Sequence, residues 1–390
     1  MTDKSSPRLL FYFMHLLGVG HVFRAKRLIE GFAREGIAVD IIYGGLPVET
    51  DFQANSIFYL PPVQVASADY SQYLDANGEP LSQQYMDDRK ERLLQHFKTL
   101  SPDMILIEAY PFGRRVVRHE LAAMIDAARQ RVAPPIIVSS VRDILQEGRK
   151  PGRNEQTRDI ILENFDYVLV HSDPNVIELD ETFPFANDIS DKLTYTGFVV
   201  PPGDAISTNI DSFDIIVSAG GGAFGGELMA TALETARQSS FPEFFWCLTT
   251  GPNLSEKDFS KLKDTAPENV TVRRRLENLA AHLTKAKVSV SQCGYNTAMD
   301  TLRAHESSDC RAVYVPYDTT GQTEQIRRAG LLEKSGFGIS LPQSELTPSS
   351  LVDAITSAME LPRAAHTVDF AGVNKSAKII AKWLAEREQT

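Results

Sequence analysis

Ser218-Ala219-Gly220-Gly221-Gly222-Ala223-Phe224-Gly225-Gly226 stands directly after the apolar run Phe213 to Ser218 and directly before the helical pattern Leu228 to Ala236. A strand, a glycine loop and a helix in that order put the loop beyond the carboxyl end of a strand, where open α/β sheets bind ligands. Glycines let backbone N–H groups close on an anion, and the helix start adds the positive end of its dipole. A phosphate or diphosphate is therefore expected there without any lysine. The segment is not a P-loop, because the Gly-Lys-Ser/Thr ending is missing. A plain strand-to-helix turn is the alternative, but five glycines among residues 220–226 exceed what a turn needs.

Outward from this loop the same alternation continues. Glu243 to Thr250, Val270 to Arg273, Val288 to Ser291 and Ala312 to Pro316 read as further strands separated by helical patterns. Earlier in the chain, Leu9 to Met14, Ala38 to Tyr43, Met104 to Glu108, Ile136 to Ser140, Tyr167 to His171 and Leu193 to Thr196 form a first series. Between the first two, Val22, Ala25, Leu28, Ile29, Phe32 and Ala33 fall at helical spacing, with Gly36 at the C-cap. The expected fold is α/β: two doubly wound, Rossmann-like parallel-sheet domains facing a central cleft. Residues 1–200 form the first domain, the Pro- and Gly-rich 201–212 the linker and 213–390 the second domain. A closing amphipathic helix over 374–388 carries Ile379, Ile380 and Trp383 on one face, which suits packing back on the N-terminal domain.

The 390 residues, 43% apolar and 23% charged, suit full-sized globular cores. Lys+Arg 40 against Asp+Glu 51 leaves −11, divided as −7 before residue 200 (21 basic, 28 acidic) and −4 after it (19 basic, 23 acidic). Neither half is basic, which argues against nucleic acid as a partner. Cys247, Cys293 and Cys310 are widely spaced and odd in number, so no disulfide framework is expected and a reducing, cytoplasmic setting fits. Leu9 to Gly20 imitates an export signal, yet His15 interrupts it and no small-residue cleavage site follows. No run approaches the roughly 18 apolar residues of a membrane span, so membrane contact, if any, is expected to be peripheral. No metal is expected either, because DxD, HExxH and histidine pairs at ligand spacing are all missing.

Several loops after strands carry candidate chemistry. Gly18-Val19-Gly20-His21 lacks the third glycine of a dinucleotide fingerprint, where Phe23 stands, and Tyr43-Gly44-Gly45 replaces the acid that should end the second strand. NAD is thus disfavoured. His21 falls in the first turn of a helix, whose dipole keeps the imidazole neutral and usable as a base; a capping or merely exposed histidine is the other reading. Glu108 to Arg115 and Ser139 to Asp143 also follow strands, and Arg114, Arg115 and Arg142 suit an anionic acceptor or ordinary surface ion pairs. In Gln292 to Asp300, Gly294 permits a close turn, and Asp300 lies about a helical turn beyond Asn296. Its carboxylate suits both hydroxyls of a ribose or, equally, a helix start. Pro316 to Gln325 offers amides and hydroxyls to a sugar, or is a polar loop.

In this order the loops resemble the GT-B nucleotide-sugar glycosyltransferases, most closely the MurG-like branch, family 28. That family's GGTGGHVFPA is similar to Leu16 to Ala25, its GGS-GA loop to Gly220-Gly221-Gly222-Ala223, and its TGNPVR to Thr196 to Val200. Its Gly-x-x-Thr-x-x-Glu resembles Gly294 to Asp300, and its HQ-x-x-N-A resembles Gly321 to Gln325; the likeness is densest over 211–345. The resemblance implies a UDP-sugar donor on the C-terminal domain and an acceptor on the N-terminal domain. Transfer is then inverting and metal-independent, with no cofactor beyond the donor substrate. By position, Gly220 to Ala223 would hold the diphosphate, Leu276 would abut the uracil, and Asp300 would hold the ribose, with Gly294, Asn296 and Thr297 also among the donor-binding residues. Gln322 and Gln325 would contact the donor sugar, and His21 would activate the acceptor hydroxyl. On the acceptor side stand Gly18, Gly20, Glu108, Arg114 and Arg142; the loops of the last three differ from the peptidoglycan enzyme's and imply another glycan or lipid-linked acceptor. Two alternatives share the scaffold: a UDP-sugar 2-epimerase or nucleotide-sugar hydrolase, and a non-catalytic nucleotide-sugar sensor.

Overall fold

The structure, a computed structural model, describes residues 7–16, 20–66, 72–145, 150–201, 210–220, 225–238, 241–318, 323–365 and 367–387. The chain forms two compact units. One comprises Met1–Pro174, Glu178–Pro201 and Asp369–Thr390; the other comprises Asn175–Ile177 and Pro202–Val368.

In the first unit, strands β1 (Arg8–Phe13), β2 (Ala38–Tyr43) and β3 (Ser56–Tyr59) are followed by a small antiparallel pair, β4 (Gln64–Val65) and β5 (Tyr73–Leu74). Then come β6 (Met104–Glu108), β7 (Ile136–Arg142), β8 (Tyr167–His171) and β9 (Leu193–Tyr195). Helices α1 (Gly20–Arg34), α2 (Gln83–Leu100), α3 (Arg118–Arg129) and α4 (Arg153–Asn164) connect them. The seven-stranded sheet runs β3-β2-β1-β6-β7-β8-β9, and all its pairings are parallel. Strand β1 reads as a continuous apolar run because both its faces are covered. Leu9, Phe11 and Phe13 pack with Val22, Leu28 and Phe32 of α1, while Leu10 and Tyr12 join the opposite core with Leu93 of α2 and Leu121 of α3.

The second unit repeats the plan with β10 (Ile215–Ser218), β11 (Trp246–Thr249), β12 (Val270–Arg273), β13 (Val288–Ser291), β14 (Arg311–Tyr314) and β15 (Ile339–Ser340). Its helices are α5 (Gly226–Gln238), α6 (Glu256–Asp264), α7 (Leu279–Leu283), α8 (Tyr295–Ser307), α9 (Glu324–Lys334) and α10 (Pro348–Glu360). The six-stranded parallel sheet runs β12-β11-β10-β13-β14-β15. Strand order therefore reverses at β1/β6 in one unit and at β10/β13 in the other, and such switch points are where doubly wound sheets receive ligands.

The closing helix α11 (Gly372–Arg387) belongs to the first unit, so the second ends at Val368 and not at 390. Trp383 stacks on Tyr167 with ring centroids 3.8 Å apart, and Ile380 and Leu384 enter the core beneath α1. A Cβ on Gly31 of α1 would meet Val373 Cγ1 at 2.7 Å, so glycine permits that helix contact. Of the expected linker 201–212, residues 202–209 lie outside the described residues.

Candidate active site

At the β1/β6 switch point, α1 starts at Gly20 and carries His21 in its first turn, while Glu108 is the last residue of β6. His21 Nδ1 lies 2.6 Å from Glu108 Oε1. Arg24, three residues on and so on the same helix face, donates to that same oxygen, and both Arg24 and Glu108 are buried. Burial alone would raise the Glu108 carboxyl, but His21 and Arg24 beside it hold it well below the usual carboxylate range. Burial pushes the His21 imidazole down to about 4 against the opposing pull of Glu108. The ring is thus neutral near pH 7. With Nδ1–H given to the ionised carboxylate, Nε2 keeps its lone pair, the tautomer a general base needs. Among the described residues Glu108 Oε2 is buried and without a partner.

The loop after Glu108 is strained. Ala109 at φ 64° and Arg114 at φ 57° both occupy the left-handed region, which costs a residue bearing a Cβ roughly 1–2 kcal/mol. Such strain concentrates where a side chain must be aimed. Arg114 Nη2 donates to Met14 O at 3.1 Å, bringing its charge close to His21. Arg115 turns to α4 instead, donating to Gln156 Oε1 at 2.9 Å and to Arg153 O at 2.8 Å. Arg142 ends β7 beside His171, its register partner at the end of β8. His171 is buried, with Nε2 2.8 Å from Ser140 Oγ and Nδ1 2.9 Å from Thr196 Oγ1, and burial pushes it down to about 3.

At the β10/β13 switch point of the second unit, Gly220 follows β10 at φ 62° and its N–H donates to Ser218 Oγ at 3.2 Å. A Cβ on Gly220 would lie 3.2 Å from Thr297 Oγ1, so the first loop glycine and the first turn of α8 are neighbours. A Cβ on Gly251 would meet Gly220 O at 2.5 Å, and one on Gly225 would meet Ala219 Cβ at 2.1 Å. Glycine at 225 and 251 is therefore a packing requirement of this loop. Arg328 of α9, fully buried, donates to Cys293 O at 2.9 Å and to Glu324 Oε1 at 2.8 Å and lies over the Tyr295 ring, tying α9 to the start of α8. Gln343 Nε2 donates to Glu227 Oε2 at 2.7 Å. Ser291 Oγ, Thr323 Oγ1 and Gln343 Oε1 are buried without partners among the described residues, acceptors and donors that a native fold seldom leaves idle.

Residues 216–382 match the glycosyltransferase family 28 C-terminal domain. A UDP-N-acetylglucosamine--N-acetylmuramyl-(pentapeptide) pyrophosphoryl-undecaprenol N-acetylglucosamine transferase of Thermotoga neapolitana is 22% identical over 185 residues, 47% of this chain and 50% of that protein. The chain spans about half the length of the curated relatives it matches. Among solved structures, the glycotransferase of kitacinnamycin superposes with TM-score 0.63 at 14% identity, covering 98% of this chain and 99% of that one. MurG of Acinetobacter baumannii gives 0.62 at 16%, covering 97% and 100%. A UDP-GlcNAc 2-epimerase from Methanocaldococcus jannaschii gives 0.59 at 10%, covering 97% and 99%. At these identities the likeness establishes the fold, which is GT-B, as the resemblance of the loops implied.

Within the stretch matched by the family 28 model, Gly220 and the start of α8 with Gly294, Asn296 and Thr297 lie at one switch point and Asp300 a turn further on, whereas Gly221, Gly222, Ala223 and Gln322 lie outside the described residues, as does Gly18 of the first unit. Gly294 has φ −67°, and a Cβ there would meet nothing within 4 Å, so what it provides is open space before α8. Leu276 sends its side chain into the core with Phe213 and Cys247, which leaves the backbone and the exposed Arg275 at that position. Asp300 sits in the second turn of α8, too far along to complement the helix start. Gln325 Oε1 accepts from Tyr317 N at 3.1 Å and closes its own loop. Sequence reasoning missed Arg24, His171 and Arg328. The helical spacing of His21 and Arg24 was a visible signal; nothing local marks the other two as buried.

Proposed function

We propose that the protein is an inverting, metal-independent glycosyltransferase that moves a hexose or N-acetylhexosamine from a UDP-sugar to a glycan or lipid-linked acceptor. The observation that carries this reading is the His21–Glu108 pair at 2.6 Å, on a GT-B chain with a family 28 domain. His21 Nε2 takes the proton of the acceptor hydroxyl as its oxygen bonds to the anomeric carbon and the bond to UDP breaks. Glu108 stabilises the imidazolium so formed, and Arg24 keeps Glu108 ionised. The glycine loop after β10 and the dipole of α5 receive the diphosphate, Asp300 the ribose, and Gln322 with Gln325 the donor sugar. A lipid-linked acceptor would bring the protein to the cytoplasmic face of a membrane; among the described residues no helix is long and apolar enough to cross one.

Thermal-shift and calorimetric titration with UDP, GDP, TDP and NAD, with and without EDTA, tests the donor half. UDP at 100 times its dissociation constant should stabilise by about 2.7 kcal/mol, indifferent to EDTA. Stabilisation by NAD alone, or by none of them, would sink the reading. A UDP-sugar converted to a different UDP-sugar with no acceptor present would assign an epimerase.

A further inference from the structure

Three neighbouring strands of the first unit deliver three rings to one edge of its sheet: Tyr43 ends β2, Tyr59 ends β3 in register with it, and His15 follows β1. None has a part in the reaction above. His15 is 8% exposed, its Nδ1 lies 2.5 Å from Tyr43 Oη, and the two rings stack with centroids 6.1 Å apart. Tyr43 donates its one hydroxyl proton to Leu46 O at 2.7 Å, so its oxygen is the acceptor and His15 Nδ1 carries the hydrogen. The relay fixes the tautomer: Nε2 keeps a lone pair and has no hydrogen-bond partner among the described residues.

Other contacts hold this ring in place. A Cβ on Gly45 would lie 2.8 Å from His15 O and 2.9 Å from its Nδ1, so the Tyr43-Gly44-Gly45 turn, unsuited to a dinucleotide, is the one that admits His15. Arg114 grips the carbonyl of Met14, and its charge acts on both His15 and His21. Burial and Arg114 keep His15 neutral. Tyr59, 54% exposed, stands edge-on to the buried Tyr43 ring at 5.9 Å and turns an aromatic surface to solvent at the end of β3.

We propose that this edge is a sugar subsite for the acceptor, in which a pyranose lies on Tyr59 and one of its hydroxyls donates to His15 Nε2. As an acceptor subsite it rests on the transferase reading; as a sugar site it does not.

Saturation-transfer NMR on the intact protein, without UDP, with methyl glucoside, methyl galactoside and methyl N-acetylglucosaminide as probes tests it. At least one glycoside should show saturation on a C–H face. The signal should vanish in Tyr59→Ala and weaken about fivefold in His15→Phe, the loss of one neutral hydrogen bond. In the unmutated protein that glycoside should also move the His15 Nε2 resonance, a readout independent of whether His15→Phe folds. No signal from any probe, a signal that survives Tyr59→Ala, or an unmoved Nε2 resonance overturns the proposal. UDP calorimetry on the same samples separates the failures: UDP bound without glycoside removes the subsite alone, and glycoside bound without UDP removes the donor reading alone.

Discussion

The two switch points share a topology and differ in chemistry. At β1/β6 the strand end is met by ionisable side chains, Glu108 and Arg24 buried and His21 half-buried, joined through Glu108 Oε1. At β10/β13 it is lined by backbone and small residues, Gly220, Gly294 and Thr297. Charged side chains can change protonation during a reaction, whereas backbone N–H groups cannot. Under the proposed function the first point moves a proton and the second holds the diphosphate. A doubly wound sheet offers the position in both cases; the residues after the strand decide whether it binds or reacts.

His21→Ala should break the comparison most visibly. Transfer should fall about 100- to 10,000-fold while UDP affinity is unchanged, as steady-state rates and calorimetry would show. Equal losses in both would make His21 a donor-binding residue and erase the division of labour. Glu108→Ala should act on the fold as well, because it leaves the Arg24 guanidinium buried and unpaired, at a cost of about 3–5 kcal/mol in denaturant titration. Glu108→Gln, which still accepts a hydrogen bond, should lose less stability.

In the second unit the analogous lesion is steric. Gly225→Ala places a methyl 2.1 Å from Ala219 Cβ, and overpacking of this kind costs about 1–3 kcal/mol. UDP binding should fall with it, since the loop must shift. A smaller effect concerns acid stability. His21 and His171 titrate in the fold at about 4 and about 3, below the ordinary 6.5. The unfolded chain takes up those protons first, so stability is complete above about pH 6.5 and declines as pH falls toward 3. His171→Gln should flatten that decline in melting curves between pH 6 and 4, and an unchanged slope would place the acid sensitivity elsewhere. Last, Gly294→Ala should leave the melting temperature within the equivalent of about 0.5 kcal/mol, because nothing stands where the methyl goes. If UDP affinity nevertheless drops, the open space over Gly294 is space for the nucleotide.

Much of this was legible before any coordinates. Apolar runs alternating with helical periods express strands buried on both faces and helices buried on one, so Leu9 to Met14 and Phe213 to Ser218 declare themselves locally. Glycine density marks the loop after β10, and a histidine opening a helix is visible as His21. These properties reside in a few consecutive residues. Leu276 packs into the core with Phe213 and Cys247, and position along the chain does not say which way a residue faces.

What only the tertiary structure decided is which strand ends meet. Glu108 stands 87 residues from His21, and the sheet order β1-β6 alone makes them partners. Helix α11 closes the core of the unit that begins the chain, because its apolar face matches the stripe of α1 left uncovered there. His15, which in the sequence merely interrupts an apolar run, becomes a fixed acceptor only when Tyr43 and Gly45 are brought alongside by β2. Periodicity and turn chemistry are local and can be read from residue types; protonation states and partners depend on what a strand's neighbours bring within a few ångströms, and that is set by topology.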